Sequence, residues 1–189
     1  MRLKLKIIIL ALLVIIVLEA YYMYILYESV CEVLIYSFSR AQFYGRRIAY
    51  DLRLIRYFVE FIMDNNLSIS EFKVKYPERY ATFYWCCGDA YTSIFNLVYS
   101  IEIGNYLRRS RSLLYFTSTL TDLSGFFYSL FMSLERNNTG VVYGFSRKLS
   151  IVDNVIKLLY EFGEMKSWDS ISMEFIEEFR INVNRLLKE

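Results

Sequence analysis

Thiols and carboxylates are the side chains of this sequence that could do chemistry, because it contains no histidine. The missing imidazole removes the commonest general base, the usual haem ligand and most zinc sites. Among the cysteines, adjacent Cys86 and Cys87 cannot bridge within a helix. In a helical hairpin Cys31 would lie about 35 Å from Cys87, whereas a disulfide needs Cα atoms within about 7 Å. We predict core thiols for the pair, with Cys31 able to cross-link two copies of the chain.

Carboxylates cluster near the C-terminal end, at Glu174, Glu177 and Glu178. A di-metal site in a helical bundle would need Glu-x-x-His pairs, which this sequence cannot supply. Nearby Arg180 and Arg185 instead indicate a solvated, partly paired face. The sequence also has no phosphate-binding glycine loop, nucleophile elbow or metal-ligand spacing. We therefore predict no catalytic residue, no cofactor and no metal, and a protein that is not an enzyme.

An apolar segment from Ile7 to Tyr27 follows the N-terminus, with Glu19 as its single charge. It has the ~20 residues needed to cross a bilayer, and its tyrosines suit the headgroup boundary. A cleaved signal peptide would need small residues before its cut, but Leu18-Glu19-Ala20, the best candidate, puts a bulky leucine there. We predict an uncleaved transmembrane anchor. The alternatives are a cleaved signal and a buried core helix, and basic residues at one end only argue against the core helix.

Charges on either side of this segment predict its orientation. Arg2, Lys4 and Lys6 precede it, whereas the first charges after it are Glu28 and Glu32. The positive-inside bias therefore places the N-terminus in the cytoplasm. We divide the chain into a basic flank with its anchor, residues 1–27, and an extracytoplasmic domain, residues 28–189.

Apolar residues beyond the anchor recur at alternating steps of three and four, which is the spacing of one helix face. Charged residues such as Asp51 do not belong to this series. Small residues at Ala41 and Gly45 would let a partner helix approach closely, so we predict a helix-partner contact along the series. A bend at Gly45 is the alternative. We call the series the inner seam: Cys31, Leu34, Phe38, Ala41, Gly45, Ile48, Leu52, Ile55, Val59 and Ile62. The contact is predicted at Leu34, Phe38, Ala41, Gly45 and Ile48.

One helix of about 60 residues, continuous with the anchor, is the simplest interpretation of this pattern. Similar series predict helices over Phe83–Gly104, Leu113–Leu134, Phe145–Leu159 and Ile176–Leu186, and Pro77 fits the first turn of the second helix. Short connections favour antiparallel neighbours. We predict an all-α chain in which an N-terminal transmembrane helix continues into an antiparallel up-down bundle of four to five helices.

Two kinds of candidate surface site lie in the predicted turns. Asn66-Leu67-Ser68 and Asn137-Asn138-Thr139 match the N-glycosylation pattern, and the up-down order places both at the end far from the membrane. We predict Asn66 and Asn137 as acceptors, with ordinary turn residues as the alternative. The second kind is the turn that contains Arg108, Arg109 and Arg111, which the up-down order places near the bilayer. Anionic headgroups attract basic side chains there. The alternative is an ordinary solvated turn.

Composition completes the functional prediction. The chain is 56% hydrophobic and 19% aromatic with a net charge of +2, which argues for a membrane environment and against nucleic acid. The single glutamine and the missing histidine indicate a thermophilic source. We predict a non-catalytic, single-pass membrane protein that serves as a structural or interaction subunit of a membrane, cell-surface or viral assembly.

The predicted partners are membrane lipid and other membrane or surface proteins in an oligomer, with no small-molecule substrate. One alternative is an extracytoplasmic sensor-type bundle, which resembles chemoreceptor ligand domains in helix count. The other is an accessory subunit of a membrane enzyme, with Glu19 contacting that enzyme inside the membrane. For Glu19 itself the alternative is a side chain that extends to water at the outer boundary.

Overall fold

A computed structural model describes the backbone of residues 2–188 and the side chains of residues 12–188. This part of the chain is helical without a strand, which confirms the all-α prediction. The chain forms two compact units, an N-terminal unit up to Tyr36 and a C-terminal unit from Ser37 onward. The helices are α1 Arg2–Asp64, α2 Ile69–Lys75, α3 Pro77–Arg108, α4 Arg111–Glu135, α5 Thr139–Ser146, α6 Leu149–Glu164 and α7 Met173–Lys188, with a 3-10 turn at Trp168–Ser170.

The long first helix confirms the prediction of one element running from the apolar segment past the inner seam. It ends after Asp64 because Asn66 adopts a left-handed backbone, with φ of 49°. The amide of Leu67 then donates to the carbonyl of Ile62 at 3.0 Å, and that of Asn66 donates to Met63 at 3.0 Å. These two bonds form a Schellman motif, which satisfies carbonyls that the helix leaves open.

The fourth helix ends in the same way. Asn137 has φ of 53°, and the amide of Asn138 donates to the carbonyl of Ser133 at 2.8 Å. Asparagine tolerates the left-handed region better than most residues because its short polar side chain bonds locally. The two asparagine pairs therefore mark helix ends, as the sequence predicts.

The predicted number of four to five helices is wrong, since the described residues contain seven α-helices. A capping box between Ser68 and Glu71 starts the extra helix α2, whose Ile69 and Phe72 are buried. The predicted helix over Phe145–Leu159 is two helices, α5 and α6, separated at Arg147 and Lys148. Lys148 is buried and its ammonium donates to the carbonyl of Leu186 at 2.8 Å, an interaction with the end of α7 that sequence spacing does not reveal.

Helices α3 and α4 are joined along their length by side-chain contacts. The Tyr80 hydroxyl donates to the carbonyl of Leu134 at 3.1 Å, and the rings of Tyr84 and Phe131 lie 4.5 Å apart. Further along, Tyr91 contacts Tyr128 at 5.5 Å. Later residues of α3 thus contact earlier residues of α4.

Aromatic rings fill the core of the C-terminal unit. At one end, Phe116 contacts Phe162 at 5.4 Å and Phe179 at 5.2 Å between ring centroids. At the other end, Phe58 contacts Phe83 at 5.6 Å. Each such pair contributes about 0.5–1.5 kcal/mol beyond the burial of its area.

Polar contacts join α1 to α6, mainly at the C-terminal end of α6. Gln42, the single glutamine of the sequence, donates through its amide to the carbonyls of Gly163 at 3.0 Å and Met165 at 2.6 Å. Arg46 also donates to the Gly163 carbonyl. Further along α1, Arg56 pairs with Asp153 of α6 at 2.8 Å. Side chains of α1 therefore satisfy carbonyls that the last turn of α6 cannot pair internally.

Candidate membrane anchor and interaction surfaces

The apolar segment of α1 is exposed in the N-terminal unit. From Leu12 to Tyr27 its large apolar side chains are between 42% and 70% exposed. Among the described residues, α1 is the one helix long and apolar enough to cross a membrane, with a mean hydropathy of 1.6 and nothing buried in the most apolar stretch. Glu19 is exposed on the same segment. The predictions that rest on Arg2, Lys4, Lys6 and the side chains of residues 7–11 lie outside the described side chains.

The part of the inner seam that lies in the C-terminal unit is buried by that unit. Phe38, Ala41, Gly45 and Ile48 are all buried, whereas Leu34 in the N-terminal unit is half-buried. Phe38 contacts the rings of Phe162 and Trp168 at 6.3 Å and 5.0 Å. A Cβ at Gly45 would lie 2.8 Å from a ring carbon of Phe162. The helix that closely approaches Gly45 is therefore α6 of the same chain. A contact with a partner helix at half-buried Leu34 stays a prediction.

A different face of α1 is open to solvent. Phe43, Tyr50 and Tyr57 follow one another at seven-residue intervals and are 57%, 57% and 50% exposed. We call these three residues the outer stripe. Arg46 and Arg53 lie between them and are also exposed. This face is not among the sequence predictions, although the seven-residue spacing of its aromatic residues is visible in the sequence.

The three arginines between α3 and α4 have different surroundings. Arg108 forms an ion pair with Asp169. Arg109 ends α3 in a left-handed conformation, with φ of 54°, and Arg111 begins α4; both are exposed. Exposed apolar side chains flank them, at Tyr106 (84%), Leu114 (56%) and Tyr115 (59%).

Trp168 contacts residues just before this turn and residues near the start of the C-terminal unit. Trp168 contacts Phe38 and also packs against Gly104, where an added Cβ would lie 2.7 Å from the indole. Arg108 begins the turn only four residues after Gly104. Trp168 therefore links Phe38 of α1 to the last turns of α3.

The structure brings the two predicted glycosylation motifs together. Asn66 and Asn137 are both exposed in left-handed turns. The amide of Ile69 donates to the Thr139 hydroxyl at 3.2 Å, which joins the two turns directly. The hydroxyl of Ser68 accepts from the amide of Glu71 in the capping box. Both hydroxyl residues thus also have a local structural role.

A partly buried polar cluster joins α1 to α3 on another flank of the first helix. The Arg47 guanidinium donates to both oxygens of Asp89, at 2.6 Å and 2.8 Å. Asp51, one turn along α1, is only 4% exposed, and its Oδ2 has no hydrogen-bond partner within the described residues. Sequence spacing placed Asp51 off the inner seam, which is correct, but α3 covers that flank and buries the carboxyl.

Burial shifts the acid-base properties of this cluster. Burial, the charge of Asp89 and a hydrogen bond to Asp89 raise the pKa of Asp51 to about 7, although Arg47 acts in the opposite direction. Burial likewise raises the pKa of the Cys86 thiol to about 12 and raises that of the Cys87 thiol. Both thiols are free and remain protonated at neutral pH, so they are poor nucleophiles.

An open groove of about 750 Å³ lies between α6 and α7. Asn154 of α6 and Asn182, Glu174, Glu178 and Arg185 of α7 line its polar part. Glu177, also on its rim, pairs with Arg180 at 2.5 Å, in keeping with the partly paired face that the sequence predicts.

Comparison with protein-family models, with curated proteins and with solved structures finds no match for this chain. Its function is therefore argued from the exposed apolar segment, the outer stripe and the polar groups described above.

Proposed function

We propose that this protein is a non-catalytic, single-pass membrane protein whose helical C-terminal unit acts as a structural or interaction subunit of a membrane or surface assembly. The observation that carries the proposal is the exposure of the apolar side chains from Leu12 to Tyr27. Leaving so much apolar surface in water is unfavourable, at about 25 cal/mol for each Å². A lipid bilayer removes that cost, and a helix satisfies its own backbone groups there.

The proposed arrangement has the N-terminus in the cytoplasm and the C-terminal unit outside, with its helices in antiparallel up-down order. The reversed contact order of α3 and α4 supports that order. It directs the α3–α4 turn towards the bilayer, where Arg109 and Arg111 would meet headgroups. Asn66 and Asn137 then lie at the far end, as proposed glycosylation sites.

Extraction and mass measurement of the full chain test the anchor. After expression in a membrane-containing host, we expect the protein to stay in the membrane pellet at alkaline pH and to be released by detergent. We expect its mass to include residues 7–27. A protein that appears in the soluble fraction with its sequence starting after Ala20 would contradict the proposal, because the signal peptide would then have been removed.

A second copy of the chain is the proposed occupant of the outer stripe. Copies anchored in one membrane direct α1 the same way, so Phe43, Tyr50 and Tyr57 of two copies lie in register. A seven-residue repeat keeps one face in contact along two left-handed supercoiled helices. The three aromatic side chains of the outer stripe are each at least half exposed, and they supply the apolar area for such a contact.

Cysteine cross-linking in membranes tests this contact. In a Cys31→Ser background, Tyr50→Cys should give a dimer on oxidation that reducing agent removes. Tyr99→Cys on α3 is the matched control, because Tyr99 and Tyr50 are equally exposed, at 57%. Equal cross-linking of both variants, or no cross-linking of the Tyr50→Cys variant, would contradict the outer stripe as an interface between copies.

The groove between α6 and α7 favours a second candidate function, the extracytoplasmic sensor. Its volume suits a small molecule, and the amides, the acids and Arg185 offer hydrogen bonds to a polar ligand. A library of amino acids and small organic cations should then raise the melting temperature of the full chain, and Asn182→Leu should abolish the shift. No shift with any member of the library would leave the structural subunit as the better proposal.

A further inference from the structure

We propose that Asp51 and Asp89 form a proton-binding site in which one shared proton holds α1 against α3. The site lies wholly within the C-terminal unit and does not depend on the proposed function. It follows from the way in which the two carboxyl groups and Arg47 are arranged.

Hydrogen-bond donors are missing from one side of this site. Arg47 donates a hydrogen bond to each oxygen of Asp89, so its charge faces that carboxyl group. Asp51 lies within hydrogen-bonding reach of Asp89, yet its Oδ2 has no partner within the described residues. Two ionised carboxylates have only acceptors to offer one another. A proton on Asp51 turns this repulsive contact into a hydrogen bond donated to Asp89.

Among the charges around Asp51, that of Arg47 opposes protonation, but it has a smaller effect than burial and Asp89. Cys86 and Cys87 of α3 face it as protonated thiols. From α6, Asp153 reaches α1 but pairs with Arg56 at 2.8 Å. Arg47 lies on α1 itself, and both of its bonded nitrogens are directed to Asp89. Ionising Asp51 therefore leaves one uncompensated negative charge at a site that is 4% exposed, which is costly.

The sign of the pH dependence follows from the higher proton affinity of the folded state. An exposed aspartate in the unfolded chain has a pKa of about 3.9, whereas the pKa of Asp51 in the folded chain is about 7. Between these values the folded state holds a proton that the unfolded state has lost. The folding equilibrium constant should therefore fall by about tenfold for each pH unit from about pH 4 to pH 7, and level off above that.

The composition of the chain makes this dependence easy to detect. Histidine is the side chain that ordinarily titrates between pH 5 and 8, and this sequence contains none. Loss of the pH slope in an Asp51→Asn variant therefore assigns the slope to Asp51.

Thermal and denaturant unfolding of the full chain in detergent, from pH 5.5 to 8.5, tests the proposal. We expect wild-type stability to fall as pH rises through 7, by roughly tenfold or more in the folding constant. Asp51→Asn keeps a neutral group that can donate to Asp89, so it should remove the slope and be more stable than wild type at pH 8.5. Asp153→Asn, which neutralises an exposed carboxyl on α6, should keep the wild-type slope.

Infrared spectroscopy of wild-type protein with isotope-labelled aspartate tests the proposal without any substitution. We expect the carbonyl band of a protonated aspartic acid at pH 6 and its loss by pH 8.5. Absence of that band at pH 6 would overturn the proposal, and so would an unchanged pH slope in Asp51→Asn.

Discussion

At the scale of single residues, glycines determine how closely aromatic rings approach the helices. A Cβ at Gly104 would lie 2.7 Å from the Trp168 indole, and a Cβ at Gly45 would lie 2.8 Å from Phe162. Such distances are far inside ordinary van der Waals contact, so a side chain there forces the ring or the helix to move. Both glycines therefore serve close packing within the chain.

Gly104→Ala is expected to destabilise the protein. Alanine gains up to about 1 kcal/mol in helix propensity, but overpacking against a buried ring typically costs about 1–3 kcal/mol. We expect a lower midpoint in denaturant unfolding. Gly125→Ala is the control, because nothing lies within 4 Å of its added Cβ, and it should be stabilising. The packing argument fails if both substitutions stabilise the protein equally.

At the scale of helices, the C-terminal ends of α1, α4 and α6 differ in what satisfies their last carbonyls. Helices α1 and α4 end in Schellman motifs on Asn66 and Asn137, so their termination is local. Helix α6 ends differently, because Gln42 and Arg46 of α1 bind the carbonyls at its C-terminal end. Its last turn thus depends on a helix that is distant in sequence.

Gln42→Ala should loosen α6 from α1. It removes two hydrogen bonds to carbonyls, each worth about 0.5–1.5 kcal/mol, and leaves the Met165 carbonyl without that donor. We expect a loss of about 1–2 kcal/mol in the free energy of unfolding, with faster amide exchange in the last turn of α6. Asn96→Ala is the matched control, since the Asn96 amide donates within its own helix, to the carbonyl of Thr92. A similar effect of both substitutions would show that the bonds to α6 add no stability.

At the scale of the whole molecule, we expect the α3–α4 turn of the C-terminal unit to meet lipid. The α3–α4 turn offers two exposed arginines together with exposed Tyr106, Leu114 and Tyr115. Basic and aromatic side chains together suit the headgroup region of an anionic membrane. Arg108 contributes less to that surface because it pairs with Asp169.

Photo-cross-linking to an anionic lipid tests this surface on the full chain in vesicles. We expect adducts on the peptide from Tyr106 to Tyr115 and on the apolar segment of α1. The Arg109→Ser/Arg111→Ser variant should lose most adducts on the turn, since each arginine near the surface is worth about 1 kcal/mol. Adducts on α1 should not change. Adducts confined to α1 in the wild-type chain would show that the turn does not reach lipid.

The sequence by itself predicted the long first helix, α3, α4 and α7, but it did not reveal α2 or the separation of α5 from α6. Apolar residues at steps of three and four show which face a helix buries, and the asparagine pairs and Pro77 mark turns. These signals are readable because they depend on residues within one or two helical turns of each other. For the same reason, the length and apolar character of the first segment were visible without a structure.

Only the tertiary structure decided what covers each face. Gly45 meets Phe162 and Asp51 faces Asp89, pairs that lie far apart in the chain. The tertiary structure also separates α5 from α6, at the point where buried Lys148 binds the end of α7. Whether a face is buried by its own chain or left open, as in the outer stripe, depends on how all the helices pack together. The spacing of residues along one helix does not contain that information.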